Sequence, residues 1–233
     1  MKATKGKLKS GASFATSTTG VSTPQPSVLP TTPYSIFQSS VKRAKNLIAI
    51  HHLAHGEKGK PPAFLMDAHR ASIVLAVSAL DAYVRTLVID RIVCTVADPK
   101  KTVPVKLRER ITECLGHDVL FEAARQGDLS SRVEKTMRDK FDDQSFQGVK
   151  KITEAMRLIG HEDIFAKIAE SARINENQLK STIGKFTDRR HIIAHCGDYD
   201  LNQNPPKENK LVKDEVLECI RTVELVAREI NKL

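Results

Sequence analysis

The chain has 233 residues, 40% of them hydrophobic, which is enough to bury a sizeable core as one folded domain with appendages. Lys and Arg number 37 against 28 Asp and Glu, and the formal net charge of +9 favours an anionic partner such as nucleic acid over a neutral one. The four cysteines, Cys94, Cys114, Cys196 and Cys219, form no Cys-x-x-Cys pair, which argues against both a zinc ribbon and a disulfide framework and points to a reduced, cytoplasmic setting.

Residues 1–33 carry Lys2, Lys5, Lys7 and Lys9, no acidic residue, and a Ser/Thr/Pro/Gly mixture too poor in large apolar groups to offset ordering entropy. They are expected to form a disordered basic tail, and without an apolar run of signal-peptide length secretion is not expected. The remainder, 34–233, is left with +5. It opens with Tyr34, Phe37, Val41, Leu47, Ile48 and His51 at helical spacing, ending near the loop from Gly56 to Pro62. The next helix, about Ala63 to Ala97, is apolar almost all round. Asp81, Arg85, Asp90 and Arg91 would each be costly in hydrocarbon, so it reads as a buried core helix and no membrane partner is expected. Ser78, Asp81 and Arg85 fall three and four apart on it as one narrow polar stripe, which must face partners, water or a site.

Pro99 and Pro104 bracket a basic connection, after which the pattern predicts short helices at 105–115, 117–126, 129–142, 146–159 and 162–171. Asn175, with Gln178 three residues on, marks the N-cap of a helix that runs through Leu179, Ile183, Phe186 and Ile193 to a C-cap at Gly197. A loop from Asp198 to Asn209 follows. The last helix, about Val212 to Lys232, repeats Val216, Ile220, Val223, Ala227 and Ile230 as a stripe that could pack on the core or on a second copy. No useful strand-period alternation occurs, and the expected class is all-α.

The segment from Asp188 to Gly197 crowds Arg189, Arg190, His191 and His195 into the last turns of one helix. His191 and His195 are four apart and share a face, whereas Arg190 and His195 lie about 140° apart around an ideal helix and converge poorly within one chain.

Arg190-His191-Ile192-Ile193-Ala194-His195 resembles the motif of the HEPN superfamily: Arg, a polar residue, three variable residues and His near a helix end. Asp81-Ala82-Tyr83-Val84-Arg85 resembles the acidic residue followed four positions later by a basic one that the family carries on an earlier helix. The resemblance covers 34–233 and implies an all-helical HEPN-like bundle with additional short helices, similar to standalone prokaryotic HEPN ribonucleases. It implies a homodimer in which two Arg-His pairs face each other and cleave RNA without metal or other cofactor, leaving a 2',3'-cyclic phosphate and a 5'-hydroxyl. His195 would move the proton, because imidazole changes protonation around neutral pH, and Arg190 would hold the charge building on the phosphoryl oxygens. His191 would assist, and Asp81, Arg85 and Arg189 would support the motif or bind substrate. The resemblance also implies a toxin or antiviral defence effector, with an antitoxin or activating protein as partner.

Other readings of the same residues stay open. Imidazoles and arginines at a helix C-terminus favourably meet exposed carbonyls without any catalytic role. His-x-x-x-His is a metal-ligand spacing with Cys196 or Asp198 nearby, but no Glu follows the first His and no third ligand is placed. Asp81 and Arg85 could be a simple ion pair. His51, His52 and His55 with Lys58 and Lys60 read as a solvated helix terminus, and Lys100, Lys101, Lys106, Arg108 and Arg110 as a solvated face. A non-catalytic helical dimer that binds a partner protein or nucleotide is the alternative function; a DNA-binding module lacks a helix-turn-helix signature.

Overall fold

A computed structural model describes residues 32–55 and 62–233; most of the expected tail 1–33 lies outside the described residues. The fold is all-α. In chain order the helices are α1 (Pro33–His55), α2 (Ala63–Ala97), α3 (Val105–Leu115), α4 (His117–Gln126), α5 (Leu129–Asp142), α6 (Val149–Leu158), α7 (Ile164–Ala172), α8 (Glu176–Cys196) and α9 (Lys213–Ile230). Two short strands, β1 (Tyr199–Asp200) and β2 (Lys207–Glu208), pair antiparallel between α8 and α9, with Tyr199 opposite Glu208 and Asp200 opposite Lys207.

Helix α2 is the axis of the bundle and packs against α1, α5, α6, α8 and α9. It is long and apolar enough to cross a membrane by length and composition, but 61% of its most apolar stretch is buried inside the protein. Ile73, Ala76, Val77, Leu80, Val84, Val88 and Ile92 supply that burial and belong to one continuous core running from Phe37 to Ile230. The stripe on α9 packs inward: Val216, Ile220, Val223, Ala227 and Ile230 are all buried in the same core. At roughly 25 cal/mol per Å2 of apolar surface removed from water, burial of this kind dominates the stability of each helix over its intrinsic propensity.

Two boundaries differ from the sequence expectation for identifiable reasons. Helix α6 starts at Val149 rather than 146, because the Phe146 N–H donates to Asp81 Oδ1 at 2.8 Å instead of entering a helical ladder. Helix α7 covers Ile164–Ala172 and stops where Arg173 turns left-handed at φ 55°. Gly116, at φ 75° and ψ 160°, separates α3 from α4, a positive-φ conformation that suits a residue without a Cβ.

Candidate active site at the end of helix α8

Helix α8 begins where the Asn175 side chain accepts the Gln178 N–H at 3.0 Å and ends where Gly197 adopts φ 59°. The next residue, Asp198, also has a positive φ of 67°, an uncommon conformation for a residue with a side chain. What holds it there is a set of bonds around a fully buried carboxylate. Asp198 Oδ2 accepts from Arg70 Nε at 2.8 Å and from an Arg189 terminal nitrogen at 2.9 Å. Its carbonyl accepts the Asn209 N–H at 2.8 Å and the Asn209 amide at 3.0 Å. Arg189 also donates to the Lys210 carbonyl at 3.0 Å, and Arg70 forms further ion pairs with Glu208 at 2.9 Å and Asp67 at 3.2 Å. This network ties the start of α2, the end of α8 and the β1–β2 hairpin together.

Of the two adjacent arginines, one is therefore committed. Arg189 is locked to Asp198, whereas half-buried Arg190 makes no ion pair among the described residues; the buried Nε of each arginine has no hydrogen-bond partner there. His191 and His195 are exposed on the neighbouring face, their ring centroids 4.4 Å apart and the rings tilted by 41°. Asp188, an exposed carboxylate three residues before His191, shares that face. Asp198 is turned inward to two arginines, so it is not an open ligand beside His191 and His195. Among the described residues no three His, Cys, Asp or Glu side chains gather as a metal site. All four cysteines are free.

The stripe on α2 lies elsewhere. Asp81 accepts from the Phe146 N–H and, at 3.3 Å, from the Ser145 hydroxyl. Arg85 donates to the Gln144 carbonyl at 2.9 Å, stands 3.7 Å from Asp81, and lies over the Phe146 ring at 5.9 Å. Both side chains thus clamp the α5–α6 connection. Neither forms a hydrogen bond or ion pair with Arg190, His191 or His195 among the described residues. The connection they clamp also touches α8 through Gln147, whose carbonyl accepts the Thr187 hydroxyl at 3.3 Å, one turn before the motif.

The start of α2, which does reach the end of α8, was not singled out from the sequence. Arg70, the residue that bonds Asp198, sits with Asp67 and His69 in its first two turns, about 16 Å along the axis from Asp81 at 1.5 Å per residue. Their signal was available, since a charged pair and a histidine opening an otherwise apolar helix must find partners when buried.

The histidines at the end of α1 also depart from expectation. His52 is exposed, but His51 is buried and stacks on His69 with centroids 4.0 Å apart. The reading of this patch as a solvated terminus is therefore corrected for His51. The side chain of His55, and Lys58 and Lys60, lie outside the described residues. His69 is buried too, and neither of its ring nitrogens has a hydrogen-bond partner among the described residues. Burial, followed by the nearby His51, Lys213 and Arg70, pushes its pKa down to about 4. In the basic run, Lys100, Lys101, Lys106 and Arg108 are exposed as expected, and Arg110 pairs with Glu113 at 2.9 Å.

Residues 39–233 match the family model described as RiboL-PSP-HEPN. No curated protein and no solved structure matches the chain. With the match spanning most of the sequence, and with a helical bundle that places the Arg-x4-His segment at a helix end, the chain belongs to the HEPN family.

Proposed function

We propose that this protein is a metal-independent endoribonuclease whose active site forms between two copies of the chain. Family membership favours a ribonuclease or another RNA-related role in general. The observation that carries the specific reading is the division of labour between neighbouring arginines. Asp198 takes Arg189, while Arg190 stays without an ion pair beside the exposed His191 and His195. A half-buried guanidinium without an ion pair, its Nε unpartnered, is open to an arriving anion, and a phosphate is the partner its fork of donors fits.

The chemistry follows from the substrate. RNA carries its own nucleophile, the 2'-hydroxyl, so the protein needs to move protons and stabilise charge. The 2'-oxygen bonds to phosphorus as the bond from phosphorus to the 5'-oxygen breaks, giving a 2',3'-cyclic phosphate and a 5'-hydroxyl. His195 accepts the proton of the attacking hydroxyl, and His195 of the second copy returns a proton to the leaving oxygen. Arg190 holds the phosphoryl oxygens as negative charge builds on them. His191, packed on His195, fixes the imidazole orientation and offers a further donor. Because Arg190 and His195 diverge by about 140° around their own helix, the pair is completed by the partner copy, and cleavage requires the dimer.

As a cellular role we propose a growth-arresting toxin or antiviral defence effector acting on cytoplasmic RNA, restrained or triggered by a partner protein. The test is denaturing-gel cleavage of total RNA by wild type, Arg190→Ala and His195→Ala in EDTA, with the oligomeric state measured in parallel. EDTA-resistant cleavage lost in both variants, each still dimeric, is the expected result. A folded wild-type dimer that cleaves no RNA, alone or with the products of neighbouring genes, would replace this reading with a non-catalytic dimer binding a partner protein or nucleotide.

A further inference from the structure

Beside the motif, on the flank of α8 away from Arg190, lies a groove of about 200 Å3 lined by Ile192, Cys196, Tyr199, Leu201, Asn202 and Asn209. That volume is smaller than the ~300–1,000 Å3 typical of whole-ligand pockets, and it suits one flat ring better than a complete nucleotide. Ile192 and Cys196 follow His191 and His195 by one residue each, so the groove begins about 100° around the helix from the histidine face.

We infer that this groove is a nucleobase subsite that sets which position in an RNA strand is cut, an inference that rests on the ribonuclease reading above. Tyr199 is 44% exposed although its neighbour Asp198 is fully buried, and its ring lies against the helix end, where a Cβ added to Gly197 would stand 3.8 Å from Tyr199 Cδ2. An exposed aromatic ring held in place by a rigid turn is a stacking surface for a base. Rigidity comes from the β1–β2 pairing and from the bonds between Asp198 and Asn209.

The polar groups select for a base over a phosphate. Asp200, also on the groove, accepts from the Asn202 N–H at 3.1 Å and from the Gln203 amide at 2.7 Å, which leaves lone pairs unused on its two oxygens. A carboxylate repels a phosphate group but accepts from an exocyclic amino group. The subsite therefore prefers adenine, cytosine or guanine over uracil, which has no such donor. Phosphates flanking the base meet the opposite strand instead: Lys207 and Lys210 are exposed, and neither is ion-paired among the described residues. Acidic groove and basic rim together match a base with its backbone on either side.

The test sequences the cleavage ends produced from a mixed RNA pool by wild type, Tyr199→Phe, Tyr199→Ala and Asp200→Asn. In parallel, the binding of short single-stranded adenine and uracil oligoribonucleotides is measured for each of these Tyr199 and Asp200 changes in a His195→Ala background. Tyr199→Ala is expected to lower kcat/KM and affinity about tenfold, with Tyr199→Phe close to wild type because stacking survives. Asp200→Asn is expected to lose the bias against uracil at one fixed position next to the cut. Unchanged site preference and affinity in Tyr199→Ala would overturn the subsite. If the wild type cuts no RNA, the ribonuclease reading fails separately and the binding arm decides. Binding that Tyr199→Ala weakens and Tyr199→Phe keeps, with an adenine preference that Asp200→Asn abolishes, upholds the subsite; binding unchanged by Tyr199→Ala, or equal or absent binding of the two oligoribonucleotides, removes it.

Discussion

The protein carries two pairs of touching histidines in opposite settings. His191 and His195 pack at 4.4 Å on an exposed helix face; His51 and His69 stack at 4.0 Å between α1 and α2, both buried. The same side chain serves different ends in the two places. On the exposed face, an imidazole can meet a ligand at little cost to the fold. Between packed helices the charged form of His69 is penalised by desolvation, so its ring acts as a flat filler. A histidine pair is thus no sign of a site until its environment is known, and each pair should fail differently when disturbed.

The largest expected effect is at the exposed pair. His195→Ala and Arg190→Ala are predicted to lower RNA cleavage by about 10^2- to 10^4-fold, the usual contribution of a positioned acid or base, and to leave the melting temperature close to wild type. Cleavage that persists in both, in the EDTA gel assay, would return the exposed pair to an ordinary helix terminus. Second in size is Asp198→Ala. Removing the buried carboxylate strips Arg189 of its only ion pair and leaves Arg70 with Glu208 and Asp67, at a cost of up to about 3–5 kcal/mol, read as a drop in the urea midpoint. Arg189→Ala removes only one of the two partners and should cost less.

How far these regions could be read beforehand differs for a physical reason. Helix limits from Asn175 to Gly197 follow from local chemistry, a capping side chain and a residue that tolerates positive φ, and local chemistry is visible in a string of residues. The motif from Arg190 to His195 is local as well. Asp198 is not: its two cationic partners stand 9 and 128 residues away, and only the packing of α2 against α8 brings them together. The stacking of His51 on His69 joins residues of two different helices in the same way. Charge density alone suggested that His51 faces water, whereas tertiary burial overrode the polar character of the helix end.

The buried pair should declare itself in acid. His69 titrates at about 4 in the folded protein against about 6.5 when unfolded, so between those values the unfolded chain binds more protons. Stability is therefore full above pH 6.5, falls as pH drops towards 4, and loses nothing further from this group below that. The groups facing it are His51 from α1, Lys213 from α9 and Arg70 on its own helix, none of which would compensate an added positive charge. Over the whole window the loss is of order 3 kcal/mol. His69→Phe keeps a flat ring in the stack and removes the titration. It should melt within about 1 kcal/mol of wild type at pH 7.5, since no hydrogen bond of the His69 ring is lost among the described residues, and decline less steeply in acid. A parallel decline in both proteins, followed by thermal melts across pH 4–7.5, would show that other groups govern acid unfolding.

The smallest predicted effect tests whether Asp81 belongs to either region. Its carboxylate satisfies the Phe146 N–H, and Gln147 next door receives the Thr187 hydroxyl, which links it to α8 through the α5–α6 connection. Asp81→Ala leaves that N–H without its partner and should cost about 1–3 kcal/mol. Asp81→Asn retains an acceptor oxygen and gives up only the charge facing Arg85, a partly exposed pair worth about 1 kcal/mol or less. If Asp81 merely anchors the loop, Asn restores most of the lost stability, and cleavage by both variants stays within about twofold of wild type once each is fully folded. A large loss of kcat in the Asn variant, with stability intact, would instead mean that the Asp81 charge reaches the motif, and the route through Gln147 and Thr187 would become part of the catalytic apparatus.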